Sequence, residues 1–197
     1  MLPLPPSVSK FLGAFVVFLA MLSVSFCDGN PSAQPPPSPT ATPSITPVAS
    51  CPQPAGQTAP APQSGLPSVA VTVTVTVTGN GKTETLAVDV ASTGAQRTLG
   101  LMSRPRMPES GGMLFLFPNP SSGGFWMRNT LIPLSIAYLA ADGTVLAIRD
   151  GVPCDLTILS PGLAYQNVLE VNQGWFQRHG MVVGSVVGLP SGLPAPQ

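Results

Sequence analysis

The chain has 197 residues, with eight basic and eight acidic side chains that cancel at neutral pH. A neutral chain with 8% charged residues lacks the basic surface of a nucleic-acid binder. It lacks equally the polybasic cluster that would hold it on anionic lipid. No charge falls between Asp28 and Lys82, and most ionisable groups lie from Lys82 to Arg178. The averages therefore describe two materials, an uncharged proline-rich stretch and one small domain large enough to bury a core.

Residues 1–27 read as an export signal. Lys10 precedes an apolar run from Phe11 to Phe26. As a helix those residues span roughly 24 Å, short of the roughly 30 Å hydrocarbon core and suited to a signal peptide behind a positive charge. Val24-Ser25-Phe26-Cys27 resembles a lipobox, with Phe26 where a small residue is usual, and places Cys27 as the lipidated residue. Ser23-Val24-Ser25 offers ordinary signal peptidase a small-x-small alternative. The expected location is outside the cytoplasm, either membrane-anchored through Cys27 or secreted after cleavage before Phe26.

Residues 28–67 form a linker of Pro, Ser, Thr, Ala and Gln that holds twelve of the 25 prolines. Such a composition cannot bury enough apolar surface to offset its ordering entropy, so an extended, disordered tether is expected. At about 3.1 Å per residue it would reach roughly 100 Å.

Residues 68–190 carry the folded domain, and 191–197 read as a flexible tail. Val69, Val71, Val73, Val75 and Val77 alternate with Ala70 and threonines, the period of a half-buried strand. Gly79-Asn80-Gly81 supplies a tight turn, and Leu86, Val88 and Val90 face the core on the return strand. Thr93-Gly94-Ala95-Gln96 fits a capping box that opens a short helix, with Leu99 and Met102 behind it. Short apolar runs at 113–117, 125–127 and 134–139 read as strands, and Asp142-Gly143 turns into another at 145–148. A loop over 150–166, a strand over 167–172 and a short helix around 175–178 complete the domain. About seven short strands with two short helices predict a mainly-β (α+β) barrel- or sandwich-like domain.

These segments carry a family resemblance. Gly100-Leu101-Met102-Ser103-Arg104, Gly112-Met113-Leu114-Phe115, Phe125-Trp126-Met127-Arg128-Asn129-Thr130-Leu131-Ile132-Pro133-Leu134 and Val168-Leu169-Glu170-Val171-Asn172-Gln173-Gly174 follow in order. Together they resemble the bacterial and archaeal family of domain of unknown function 192, across roughly Val75 to Val187. The resemblance implies a compact mainly-β fold, often exported, and no established reaction, cofactor or catalytic residue. Ser135 and Ser185 stand where the family usually has Asp, so this chain lacks two carboxylates there.

No motif fixes a reaction, and no catalytic residue, metal site or cofactor is assigned. His179 is the only histidine and reads as the polar end of the last short helix. No His/Cys/Asp/Glu spacing matches a transition-metal site. Cys51 and Cys154 could pair in an oxidising compartment, although Cys51 lies in the tether.

The candidate ligand-binding residues are Arg97, Arg104, Trp126, Arg128, Asn129, Glu170 and Asn172. On a strand, Trp126 and Arg128 would share one face opposite Asn129, able to cradle a sugar or a carboxylate-bearing ligand. The competing reading packs Trp126 under the 121–124 loop and puts Arg128 in a structural ion pair. Glu170, within an otherwise apolar strand, is either paired with Arg97, Arg104 or Arg128 or is a functional carboxyl.

The leading expectation is a tethered binding module for a small polar or carbohydrate ligand. A glycan-directed hydrolase using Glu170, with Asp150 or Asp155 as the second acid, and an envelope assembly factor are the alternatives. Mass spectrometry of the mature amino terminus should find a lipid-modified Cys27, and a free chain beginning at Phe26 would exclude the anchor.

Overall fold

The computed structural model describes residues 50–52 and 71–197. The expected signal segment and nearly all of the expected linker, Cys27 included, lie outside the described residues. The domain is one seven-stranded sheet: β1 (Thr72–Gly79), β2 (Lys82–Ala91), β3 (Gly111–Ser121), β4 (Leu134–Leu139), β5 (Val145–Gly151), β6 (Tyr165–Asn172) and β7 (Val186–Gly188). Two short helices, α1 (Gly94–Leu99) and α2 (Trp175–His179), complete it. The strand order is β5-β4-β6-β3-β2-β1-β7, with β2 and β3 parallel and every other pairing antiparallel.

The β1–β2 hairpin follows the valine alternation. Gly79 pairs with Lys82, and Asn80 and Gly81 both take positive φ, the geometry of a two-residue turn that suits the strand twist. Thr93 caps α1 as the sequence suggests, with the reciprocal Gln96 bond of a capping box. The strand count of seven holds, but its membership differs. Residues 125–127 make only the isolated Phe125–Leu159 bridge, while Val186–Gly188 forms a strand.

That last strand closes the sheet into a curl. β7 pairs with β1, and Thr144, just before β5, bridges Val186. The junction is held by Val145 N–H to Ser185 O (2.8 Å), Gly184 N–H to Val145 O (2.8 Å) and Val187 N–H to Gly143 O (2.9 Å). Gly143 has φ +87°, and a Cβ there would run into the Val187 carbonyl, so glycine is what lets the two ends approach.

The curl gives the sheet two apolar faces. The concave face encloses Val75, Val77, Leu86, Val88, Leu114, Leu169 and Val171, sealed by Trp175, Phe176 and Met181 around α2. The other face carries Met113, Phe115, Leu134, Ile136, Tyr138 and Val168, covered by Leu101, Met127 and Ile132 from the connecting segments. Residues 111–116 of β3, all of β4 and most of β6 are buried on both sides, so they read as nearly continuous apolar runs. Within β6, Val168 and Glu170 point to the second face and Leu169 and Val171 to the first.

Cys51 and Cys154 form a disulfide, with Cα atoms 5.2 Å apart and a sequence separation of 103. The described part of the linker, Ser50–Pro52, is therefore covalently fixed to the loop after β5. Deleting residues 30–67 would remove Cys51 and with it this bond. A cross-link closing so long a loop removes unfolded-state entropy. Cys154→Ser should lower unfolding free energy by about 2–4 kcal/mol in urea melts, and reduced wild type should match the variant.

Candidate functional site

The second face of the sheet is incompletely filled. Residues 94 and 97–102 around α1, Phe115 and Phe117, residues 121 and 123–126, Thr130, Tyr165 and Glu170 line a cavity of about 450 Å³. Its walls are aromatic. Phe125 meets Phe115 edge-to-face at 5.1 Å and Phe117 at 6.5 Å, and Phe117 meets Tyr165 at 5.6 Å. Such edge-to-face contacts fix the rings relative to one another.

The wall at 121–126 is held by backbone. Phe125 N–H donates to Leu159 O, and Phe125 O accepts from Leu159 N–H in return. Gly124 lies so close to Ile158 and Leu159 that a side chain at this position would clash. Tyr138 donates its hydroxyl to Leu159 O, tying the 152–164 loop to the sheet. Burial raises the Tyr138 and Tyr165 phenols above their ordinary range, so both stay neutral near pH 7.

Glu170 is the single acid among the lining residues. It stands on β6 between Met113 of β3 and Ile136 of β4 and is only 5% exposed. Among the described residues no arginine or lysine pairs with it. Desolvation, unopposed by any neighbouring charge, pushes its carboxyl from 4.5 up to about 8. At neutral pH the group is mainly a protonated acid that can donate as well as accept.

The expected ion pair for Glu170 is therefore absent, and each arginine is engaged elsewhere. Arg104 bridges Asp89 at 2.8 Å. Arg97 donates through Nη1 to Ser92 O (2.8 Å) and Leu116 O (2.9 Å), through Nη2 to Gln197 O (2.7 Å), and lies over the Phe117 ring at 5.1 Å. Arg128 lies over Trp126 at 5.4 Å and forms no ion pair among the described residues. The reason is positional: Glu170 sits mid-sheet, whereas these arginines come from α1 and from loops.

Of the seven predicted site residues, the cavity brings together Arg97, Trp126 and Glu170. Trp126 is 43% exposed, so it does not pack under the 121–124 loop. Arg128 and Asn129 follow it in a turn rather than a strand, and Asn129 takes φ +53° while its carbonyl accepts from Ser103 N–H. Asn172 holds the covering segment through Nδ2 to Pro108 O at 2.8 Å. Arg104, Arg128, Asn129 and Asn172 are outside the lining. The sequence reading missed Phe115, Phe117, Phe125 and Tyr165, because a phenylalanine in an apolar run reads as core.

A smaller cavity of about 320 Å³ lies beside α2, lined by Ser135 and Asp150 among others. Ser135 Oγ donates to Asp150 Oδ1 at 2.5 Å and accepts from Gly174 N–H at 2.9 Å. Ser185 Oγ accepts from Val182 N–H at 2.9 Å. Both serines thus take up backbone donors, from Gly174 and Val182. Asp155 is fully exposed, its pKa lowered by the Thr157 backbone N–H. His179 ends α2, stacked on Trp175 at 4.5 Å with Nδ1 3.3 Å from Glu84.

Fold and site define a small curled-sheet domain with an aromatic cavity floored by one acid. The chain belongs to the family of domain of unknown function 192, described as an uncharacterized ACR, whose pattern matches residues 75–189. Two solved structures are similar. A protein of unknown function from Novosphingobium aromaticivorans DSM 12444 shares 38% identity, covering 68% of this chain and 94% of its own, with a TM-score of 0.59. A protein provisionally described as a transcription regulator from Sinorhizobium meliloti 1021 shares 33% identity, covering 59% and 92%, with a TM-score of 0.57. No curated protein matches the chain.

Glu170 makes stability depend on pH in a defined direction. Below about 4.5 its carboxyl is protonated both folded and unfolded and costs nothing. As pH rises toward 8 the unfolded chain loses this proton first, so the folded state loses stability by up to about 1.4 kcal/mol per pH unit. Glu170→Gln should remove that slope in urea melts and be the more stable protein above pH 8. A variant weaker than wild type throughout would instead reveal a structural ion pair.

Proposed function

We propose that this protein is an extracytoplasmic, tethered binding module whose site is the aromatic cavity floored by Glu170, taking a small polar ligand. The carrying observation is a buried carboxyl that has no ionic partner among the described residues and lines an open cavity. A protein that leaves such a group unpaired gives up stability, a cost typical of sites that recognise something. Aromatic rings around one or two polar groups are the usual composition of a small-molecule pocket. A carbohydrate fits that composition, stacking on the rings while its hydroxyls meet the acid.

Export and a lipid anchor on Cys27 belong to the same proposal. The signal-like segment supports them, and so does the Cys51–Cys154 disulfide, since such bonds persist in oxidising compartments. A glycan hydrolase has less support, because Glu170 has no second carboxyl beside it in the lining. Asp150 is engaged by Ser135 in the other cavity. An assembly factor would use an open sheet edge. The end strands here already approach each other at Thr144 and Val186. A regulator that contacts DNA has no support in a chain without net charge.

A thermal-shift screen of sugars, polyols, amines and small carboxylates against the mature protein tests the reading. At least one class should raise the melting temperature of wild type and lose that effect in Glu170→Gln. Hits that survive both Glu170→Gln and Trp126→Ala would place binding elsewhere.

A further inference from the structure

Resting on that binding reading, we infer that the cavity takes an organic ammonium group, seated against Glu170 and enclosed by the rings of Phe115, Phe125 and Tyr165. The cavity supplies the two things a desolvated cation requires. One is a carboxyl free to become its counter-ion, and Glu170 has no competing cation among the described residues. The other is a wall of aromatic rings and apolar surface, which favours a weakly hydrated ammonium over water.

The charged and titratable groups around Glu170 allow this. From β4 comes Tyr138, with its hydroxyl committed to Leu159 O. Tyr165 lies on β6 itself, and both phenols stay neutral across the range in question. β3 contributes Met113 and Phe115, which carry no charge. Arg149 of β5 acts on Tyr138, and its guanidinium is turned to Ser160 O and Pro161 O. Arg97 of α1 is the one cation of the lining, and three backbone oxygens and the Phe117 ring hold its charge.

A cation entering this site displaces the Glu170 proton to solvent, so the site exchanges one positive charge for another and stays neutral. Burying a carboxylate then carries its own compensation. A hydroxyl ligand works in the opposite sense, since it uses the protonated acid as donor. The two ligand classes therefore have opposite pH dependence.

The test is an amide chemical-shift titration of the mature protein with choline and n-butylammonium, each beside its uncharged isostere, neohexanol and pentane, and with glucose as the sugar. At least one cation should bind about tenfold or more tightly than its isostere. Its affinity should rise as pH approaches 8 and fall about tenfold or more in Glu170→Gln. Isosteres that bind as well as both cations overturn the inference. Glucose binding in the cavity without either cation also overturns it and leaves the binding reading standing. Shifts in no cavity residue with any probe, together with a thermal-shift screen lacking Glu170-dependent hits, overturn both.

Discussion

Three backbone hydrogen bonds between residues 143–145 and 184–187 join the two ends of a seven-stranded sheet. Everything else in the domain follows from that junction. Once the ends meet, the concave face becomes a sealed interior that α2 closes with Trp175 and Phe176. The convex side of β3, β6 and β4 must then be covered by connecting chain, because no second sheet exists among the described residues to pack on it. Loops and one short helix cover it less completely than a sheet would. The cavity is the part left uncovered, and its floor is on β6, a strand buried over most of its length.

Placing an acid on that floor runs against the packing. A side chain such as Met or Leu at position 170 would match its neighbours Met113 and Ile136 and remove a desolvation penalty. The penalty is tolerable because the neutral acid, not the ion, is the resting form. The same burial that weakens the fold at higher pH makes the group responsive to whatever enters, since any ligand changes its surroundings more than water-exposed groups ever experience. Stability and responsiveness here have one physical origin.

The alternation of Val73, Val75 and Val77, the Asn80-Gly81 turn and the Thr93–Gln96 capping box were legible in sequence because each is decided by neighbours along the chain. Position 125–127 was not. Phe125, Trp126 and Met127 have strand-like composition, but the segment is pinned by Leu159 and Asp155 carbonyls from a distant loop. β7 was missed for the opposite reason, being three residues long and defined only by its partners on β1 and at Thr144. Glu170 was recognisable as anomalous, an acid in an apolar strand. Its lack of an arginine was not, since Arg97, Arg104 and Arg128 are disposed by tertiary contacts that no local pattern encodes. The aromatic wall stayed hidden because lining a cavity and filling a core select the same residue types.

The bond between Cys51 and Cys154 also decides where the domain is held. Along the backbone, the chain preceding residue 51 enters the domain at β1. Through sulfur it enters at the loop after β5. A pull from the amino-terminal side therefore has a covalent route to Cys154 that bypasses residues 53–70. That route reaches the domain away from β1, whose pairing with β7 shares in closing the curl. Cleavage within residues 53–70 would likewise leave the domain attached. The cross-link acts as a mooring point as much as a brace, and it places that point on the loop that also backs the aromatic wall through Leu159.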